Sequence, residues 1–173
     1  MAGVSRLPDA FHQSIAIAVM AAAASSAVAP EPFYLGAWKI ASAVVAPWAD
    51  PARRPDPAEM KSLVSKTIVI KPHEILGPRP VACQSPKYRV KEYPADWLFQ
   101  GAFGEMHARD KSADPVKIAE SLGFHGSAWK TLETGCGNEI DFHFVDAATA
   151  QFGLNDYVYN LKKTPLPRLA AGH

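Results

Sequence analysis

An excess of charge of either sign is missing from this chain. Lysine and arginine total 18 against 17 aspartates and glutamates, the net charge is +1, and the basic residues are scattered rather than grouped. A phosphate backbone or an anionic lipid surface is recognised by a basic stripe or cluster, so the sequence predicts no nucleic-acid partner. Long apolar runs are missing too. The uncharged, mostly apolar stretch at residues 14–29 is shorter than the roughly 20 residues a membrane-spanning helix needs. Catalytic signatures are equally scarce. There is no Gly-x-Ser-x-Gly turn, and Thr134-Gly135-Cys136-Gly137-Asn138 has two glycines without the lysine–serine or lysine–threonine pair of a phosphate loop. No internal repeat occurs, and strands do not alternate with long helices, which argues against a parallel sheet.

What is present begins with that stretch. It ends in Ala27-Val28-Ala29 ahead of Pro30 and reads as a secretory signal peptide cleaved after Ala29, the other reading being a membrane anchor. No cysteine stands at the cleavage point, so lipid attachment there is excluded. The expected organisation is a signal peptide at 1–29, one domain at 30–164 and a mobile tail at 165–173. The mature chain is then periplasmic or secreted, without stable membrane insertion. Cys83 and Cys136 are the two cysteines, and in an oxidising compartment an even count predicts one disulfide. The other use of such residues, a reactive thiol, has no basic neighbour in sequence beside either cysteine.

Phe33-Tyr34-Leu35-Gly36-Ala37-Trp38-Lys39-Ile40 opens the folded part as a strand. Three prolines within Asp50–Pro57 make a surface loop, and Asp56-Pro57 is a helix start leading into 58–64. Lys66–Lys71 is β-branched and reads as a strand. In Lys87-Tyr88-Arg89-Val90-Lys91 charged and apolar residues alternate, and Trp97–Phe103 is a further apolar run that fits a sheet. Asp114-Pro115 repeats the helix start, with Gly123 at the stop. Segments 127–133, 138–146, 147–154 and 157–163 follow as strands, with Asn155-Asp156 as a hairpin turn. The sum is a mainly β domain: an antiparallel barrel of about eight strands with one or two short helices, a β-sandwich being the alternative.

Gly36-Ala37-Trp38 on a first strand near the mature N-terminus resembles the Gly-x-Trp signature of lipocalins and lipocalin-like proteins. The resemblance implies an eight-stranded barrel whose base is closed by Trp38, with a basic side chain from near the last strand, Lys162 or Lys163, packed over it. It also implies a binding protein with an apolar calyx.

Candidate site residues fall in two groups. Tyr88, Trp97, Phe99 and Phe103, with Phe142 and Phe144, supply aromatic surface for a small apolar ligand; a filled core uses the same residue types. In Glu139-Ile140-Asp141-Phe142-His143-Phe144 strand alternation puts Glu139, Asp141 and His143 on one face. Asp141 and His143 can share a cation or orient one another for proton transfer. The plainer reading of that face is solvent. A metal would want a third ligand, and only the isolated His73, His107 and His125 remain, so neither metal nor cofactor is predicted. Three functions result: a non-enzymatic binder of a small apolar or amphipathic ligand, an envelope protein-binding module or inhibitor acting through loops 47–57 or 104–114, and an enzyme using Asp141 and His143.

Overall fold

The computed structural model describes residues 31–165. The signal peptide read at 1–29 and the tail beyond Pro165 lie outside the described residues. Nine strands form one antiparallel sheet: β1 Gly36–Val45, β2 Thr67–Ile70, β3 Glu74–Leu76, β4 Cys83–Gln84, β5 Arg89–Tyr93, β6 Trp129–Glu133, β7 Phe142–Phe144, β8 Thr149–Leu154 and β9 Tyr157–Thr164. Their order is β4-β3-β2-β1-β9-β8-β7-β6-β5, curled into a half-barrel. The first and last strands pair along their length, from Ala37↔Thr164 to Val45↔Tyr157, with an irregularity between Ile40 and Ser42. The two free edges are β4 and β5. Cys83 at the first edge is disulfide-bonded to Cys136, just past β6, with Cα atoms 6.2 Å apart.

The turns follow from local chemistry. Helix α1 (Pro57–Leu63) starts where Asp56 accepts from the Ala58 amide, and α3 (Pro115–Ser121) where Asp114 accepts from the Val116 and Lys117 amides. Asn155, at φ 49°, turns the β8–β9 hairpin between Leu154 and Tyr157, in the left-handed region that asparagine tolerates.

Period-two alternation gives the sheet an inner and an outer face. The inner face gathers Trp38, Leu132, Phe142, Phe152, Tyr159 and Leu161, all fully buried, in one aromatic and aliphatic core. The outer face is covered by helix α2 (Leu98–Arg109) and α3, which add a second core of Leu98, Phe99, Phe103, Phe124, Trp129 and Val158.

Three expectations are corrected here. The run Trp97–Phe103 is not a strand: Ala95–Trp97 is a 3-10 turn and Leu98 begins α2. A short apolar run does not separate strand from helix, and Leu98, Phe99 and Phe103 are buried by packing α2 on the outer face. The charged loop at 104–114 is helical as far as Arg109. The face of His143 is not solvent, since His143 is 1% exposed under the same helix; Glu139 is exposed and Asp141 half-buried.

Candidate functional site

Three places combine concave shape or strained backbone with chemically capable side chains. The first lies at the Trp38 end of the sheet. Trp38 Nε1 donates to the Tyr34 carbonyl at 2.9 Å, which draws residues 33–35 across that end. The Lys163 ammonium sits 5.3 Å from the centre of the Trp38 ring and donates to the Phe33 carbonyl. Lys162 points the other way and donates to Thr149 Oγ1 at 2.8 Å; the register Trp38↔Lys163 puts Lys163, and not Lys162, on the face of the indole. Phe33 meets Phe144 edge-on at 4.8 Å, and the Lys130 ammonium lies 5.2 Å from its ring centre. Beside Phe33 a cleft of about 350 Å³ opens, walled by Trp129, Phe144 and Val145, with Glu92, Lys130 and Asp146 at its margin. Apolar walls with a few charged groups suit an amphipathic molecule.

The second place joins two segments singled out in the sequence. Pro47, Trp48 and Asp50 from the proline-rich loop face Met106, Arg109 and Asp110 across a cleft of about 400 Å³. The loop is tethered to the β8–β9 turn: Trp48 Nε1 donates to the Asn155 carbonyl at 2.9 Å and Arg53 pairs with Asp156 at 3.3 Å. Below the cleft, Trp48 packs on Phe99 with ring centres 5.2 Å apart. Gly153 makes room for both rings, since a Cβ there would lie 3.0 Å from Trp48 Cζ2 and 3.3 Å from Phe99 Cδ1.

The third place is a polar row across the outer face. Strand register sets Lys91, Thr131, His143, Gln151, Asn160 and Ser42 side by side on β5, β6, β7, β8, β9 and β1. Gln151 Nε2 donates to Asn160 Oδ1 at 2.8 Å and to the Leu122 carbonyl at 2.7 Å, and Asn160 Nδ2 donates to Ser42 Oγ at 3.2 Å. His143 Nε2 accepts the Phe99 amide at 3.1 Å. Its ring proton is therefore on Nδ1, which donates to Thr131 Oγ1 at 2.8 Å. Burial pushes the imidazole pKa down to about 3, so it is neutral. The amide it holds opens a run of three left-handed residues, Phe99 (φ 51°), Gln100 (φ 57°) and Gly101 (φ 85°). For the two non-glycine residues that conformation is unfavourable by roughly 1–2 kcal/mol each. Gln100 Nε2 donates to the carbonyl of Glu139, itself at φ 57°.

Asp141 and His143 do not form a dyad. Asp141 accepts from the Thr134 amide at 3.1 Å, and burial raises its pKa; both nitrogens of His143 are engaged elsewhere. Among the described residues no three His, Cys, Asp or Glu side chains are grouped to hold a metal ion. The six aromatic residues named for a ligand do not surround one space. Phe142 and Phe144 belong to the inner core, Phe99 and Phe103 to the outer. Tyr88 donates to the Lys71 carbonyl at 2.9 Å, with its pKa pushed up to about 12 by burial, and Trp97 is 59% exposed, stacked on Tyr93. Phe33, Trp48 and Gln100 were not among the residues the sequence nominated. Trp48 beside a proline-rich loop was the available signal for one of them; nothing local marked the other two. In comparisons with known proteins, no family model, no curated protein and no solved structure matches this chain.

Proposed function

We propose that the chain is an exported, lipocalin-like binding protein that takes a small apolar or amphipathic molecule at the Trp38 end of its sheet. The observation that carries this is the aromatic-walled cleft beside Phe33, with Glu92, Lys130 and Asp146 at its margin. Lys163 over Trp38 supports the lipocalin-like part, because a basic side chain from the last strand occupies that place in the resemblance. Export is supported by the Cys83–Cys136 disulfide, a bond that persists in oxidising compartments. No helix of the described residues is long and apolar enough to cross a membrane. The inner face is packed with large side chains, so the ligand is taken at the rim rather than deep inside. The test is a titration with the fluorescent apolar probe N-phenyl-1-naphthylamine. Wild type should give saturable enhancement, and Phe33→Ala should weaken it about tenfold, the equivalent of about 1.4 kcal/mol of lost contact. A linear, unsaturable signal from the wild-type protein sinks the reading.

A second reading, a protein-binding module or envelope inhibitor, is favoured by the meeting of the proline-rich loop with the end of α2 around Trp48. It predicts an envelope partner whose capture on immobilised protein is lost with Trp48→Ala and kept with Phe33→Ala; the reverse pattern removes it.

A further inference from the structure

We infer that His143 is an acid-sensitive latch: neutral, it holds the left-handed turn Phe99–Gly101 against the sheet, and protonated it lets that turn and the start of α2 lift, uncovering Trp48, Phe99 and Phe103. The inference is independent of either binding reading.

Geometry makes the turn and the charged imidazole incompatible. The Phe99 amide is a donor and needs an acceptor, which Nε2 supplies only without a proton. Adding the proton sets two donors nose to nose at 3.1 Å, and Nδ1 is already donating to Thr131. The same rings form the lid over this contact. Phe99 lies 4.6 Å from the imidazole, and Trp48 and Phe103 rest on Phe99 at 5.2 and 5.3 Å. Losing one hydrogen bond therefore frees a backbone segment that only tertiary contacts keep in its sparsely populated conformation.

Among the described residues other charges do not intervene. Next to His143 stand Thr131 on β6 and Gln151 on β8, both neutral, and Phe99 on α2. The nearest charge along the row is Lys91, bound to Glu133 and Tyr93. Asp141 precedes on the same chain, bound to the Thr134 amide, and Glu105, His107 and Arg109 lie further along α2. Burial alone accounts for the depressed pKa of about 3. A lifted turn hydrates the ring and returns it towards 6.5, its unperturbed value. The closed form is thus fully favoured above pH 6.5 and loses ground as pH falls. Between pH 7.5 and 5 the open population should rise about 30-fold.

Amide hydrogen exchange of the full chain tests this, with rates at pH 7.5 and 5 divided by those of an unstructured peptide. The expected result is that residues 98–103 open far more often than β9 at pH 7.5 and about 30-fold more often again at pH 5, with a flat profile for His143→Gln, whose carboxamide oxygen accepts but does not titrate. A change below threefold in residues 98–103 of the wild type overturns the inference, as does protection of residues 98–103 equal to that of β9 at pH 7.5, which would mean they open only with the whole chain, or an undiminished response in His143→Gln. Should His143→Gln fail to fold, the comparison of residues 98–103 with β9 in the wild type decides alone.

Discussion

The two faces of the one sheet are built by different means. On β7, Phe142 and Phe144 point into a continuous apolar core while His143, between them, is buried on the other side with both ring nitrogens bonded. The inner face is held by area and fit, which are non-directional. The outer face has an apolar core of its own beneath the two helices and adds to it a row of directional bonds, and a directional bond fails when one partner changes its protonation. Truncation should expose the contrast. Trp38→Ala removes a fully buried indole, its edge contact with Phe144 at 5.5 Å and its bond to Tyr34, and should lower stability by about 4–5 kcal/mol in urea unfolding. Trp48→Ala, on the half-buried outer side, should lower it by about 2 kcal/mol. Equal losses would mean the outer layer is as tightly built as the inner.

The disulfide comes next in size. It spans 53 residues and ties edge strand β4 to the segment after β6, so in the chain-entropy account the Cys83→Ser/Cys136→Ser variant should lose about 4 kcal/mol. That loss belongs to the curl as a whole and should leave the His143 region's pH response in place. A third measurement isolates the outer face. His143 has a depressed pKa of about 3 in the folded chain against about 6.5 unfolded, so its stabilisation is present above pH 6.5 and is lost as pH falls. The wild type should lose about 3 kcal/mol more than His143→Gln between pH 7 and pH 4. Identical slopes for the two proteins would mean that the imidazole is already hydrated.

Much of the frame was legible because its signals are local. Asp56-Pro57 and Asp114-Pro115 carry both the cap and the fixed φ of a helix start, Asn155-Asp156 supplies the turn, and two cysteines leave one pairing. The outer face was not legible. Alternating Glu139, Asp141 and His143 is the pattern of a solvent face, and only a helix arriving from 44 residues earlier, with Phe99 bonded to His143, turns it into an interior. Gly153 was the one local trace of that cover, since a glycine inside a strand marks close approach of another group. For the Trp38 end, the resemblance to lipocalins offered Lys162 or Lys163 as the basic partner, and the choice rests on register: a slip of one residue exchanges the faces of a strand.

That one-residue choice gives the smallest effect and the sharpest use of the comparison. Lys163 shares the inner side with Trp38, its ammonium 5.3 Å from the ring centre and bonded to the Phe33 carbonyl; Lys162 is on the outer side and reaches only Thr149. Both side chains are exposed, so charge lost to solvent is common to the two substitutions and cancels between them. Lys163→Met should lower stability by about 1 kcal/mol, the worth of an exposed cation–π contact plus a bond to a carbonyl, and Lys162→Met by less than about 0.5 kcal/mol. Only the first should alter the near-ultraviolet circular dichroism of the indole and weaken any probe binding beside Phe33, because Lys163, and not Lys162, is bonded to the strap that carries Phe33. Equal responses would detach the Phe33 cleft from the closure of the sheet.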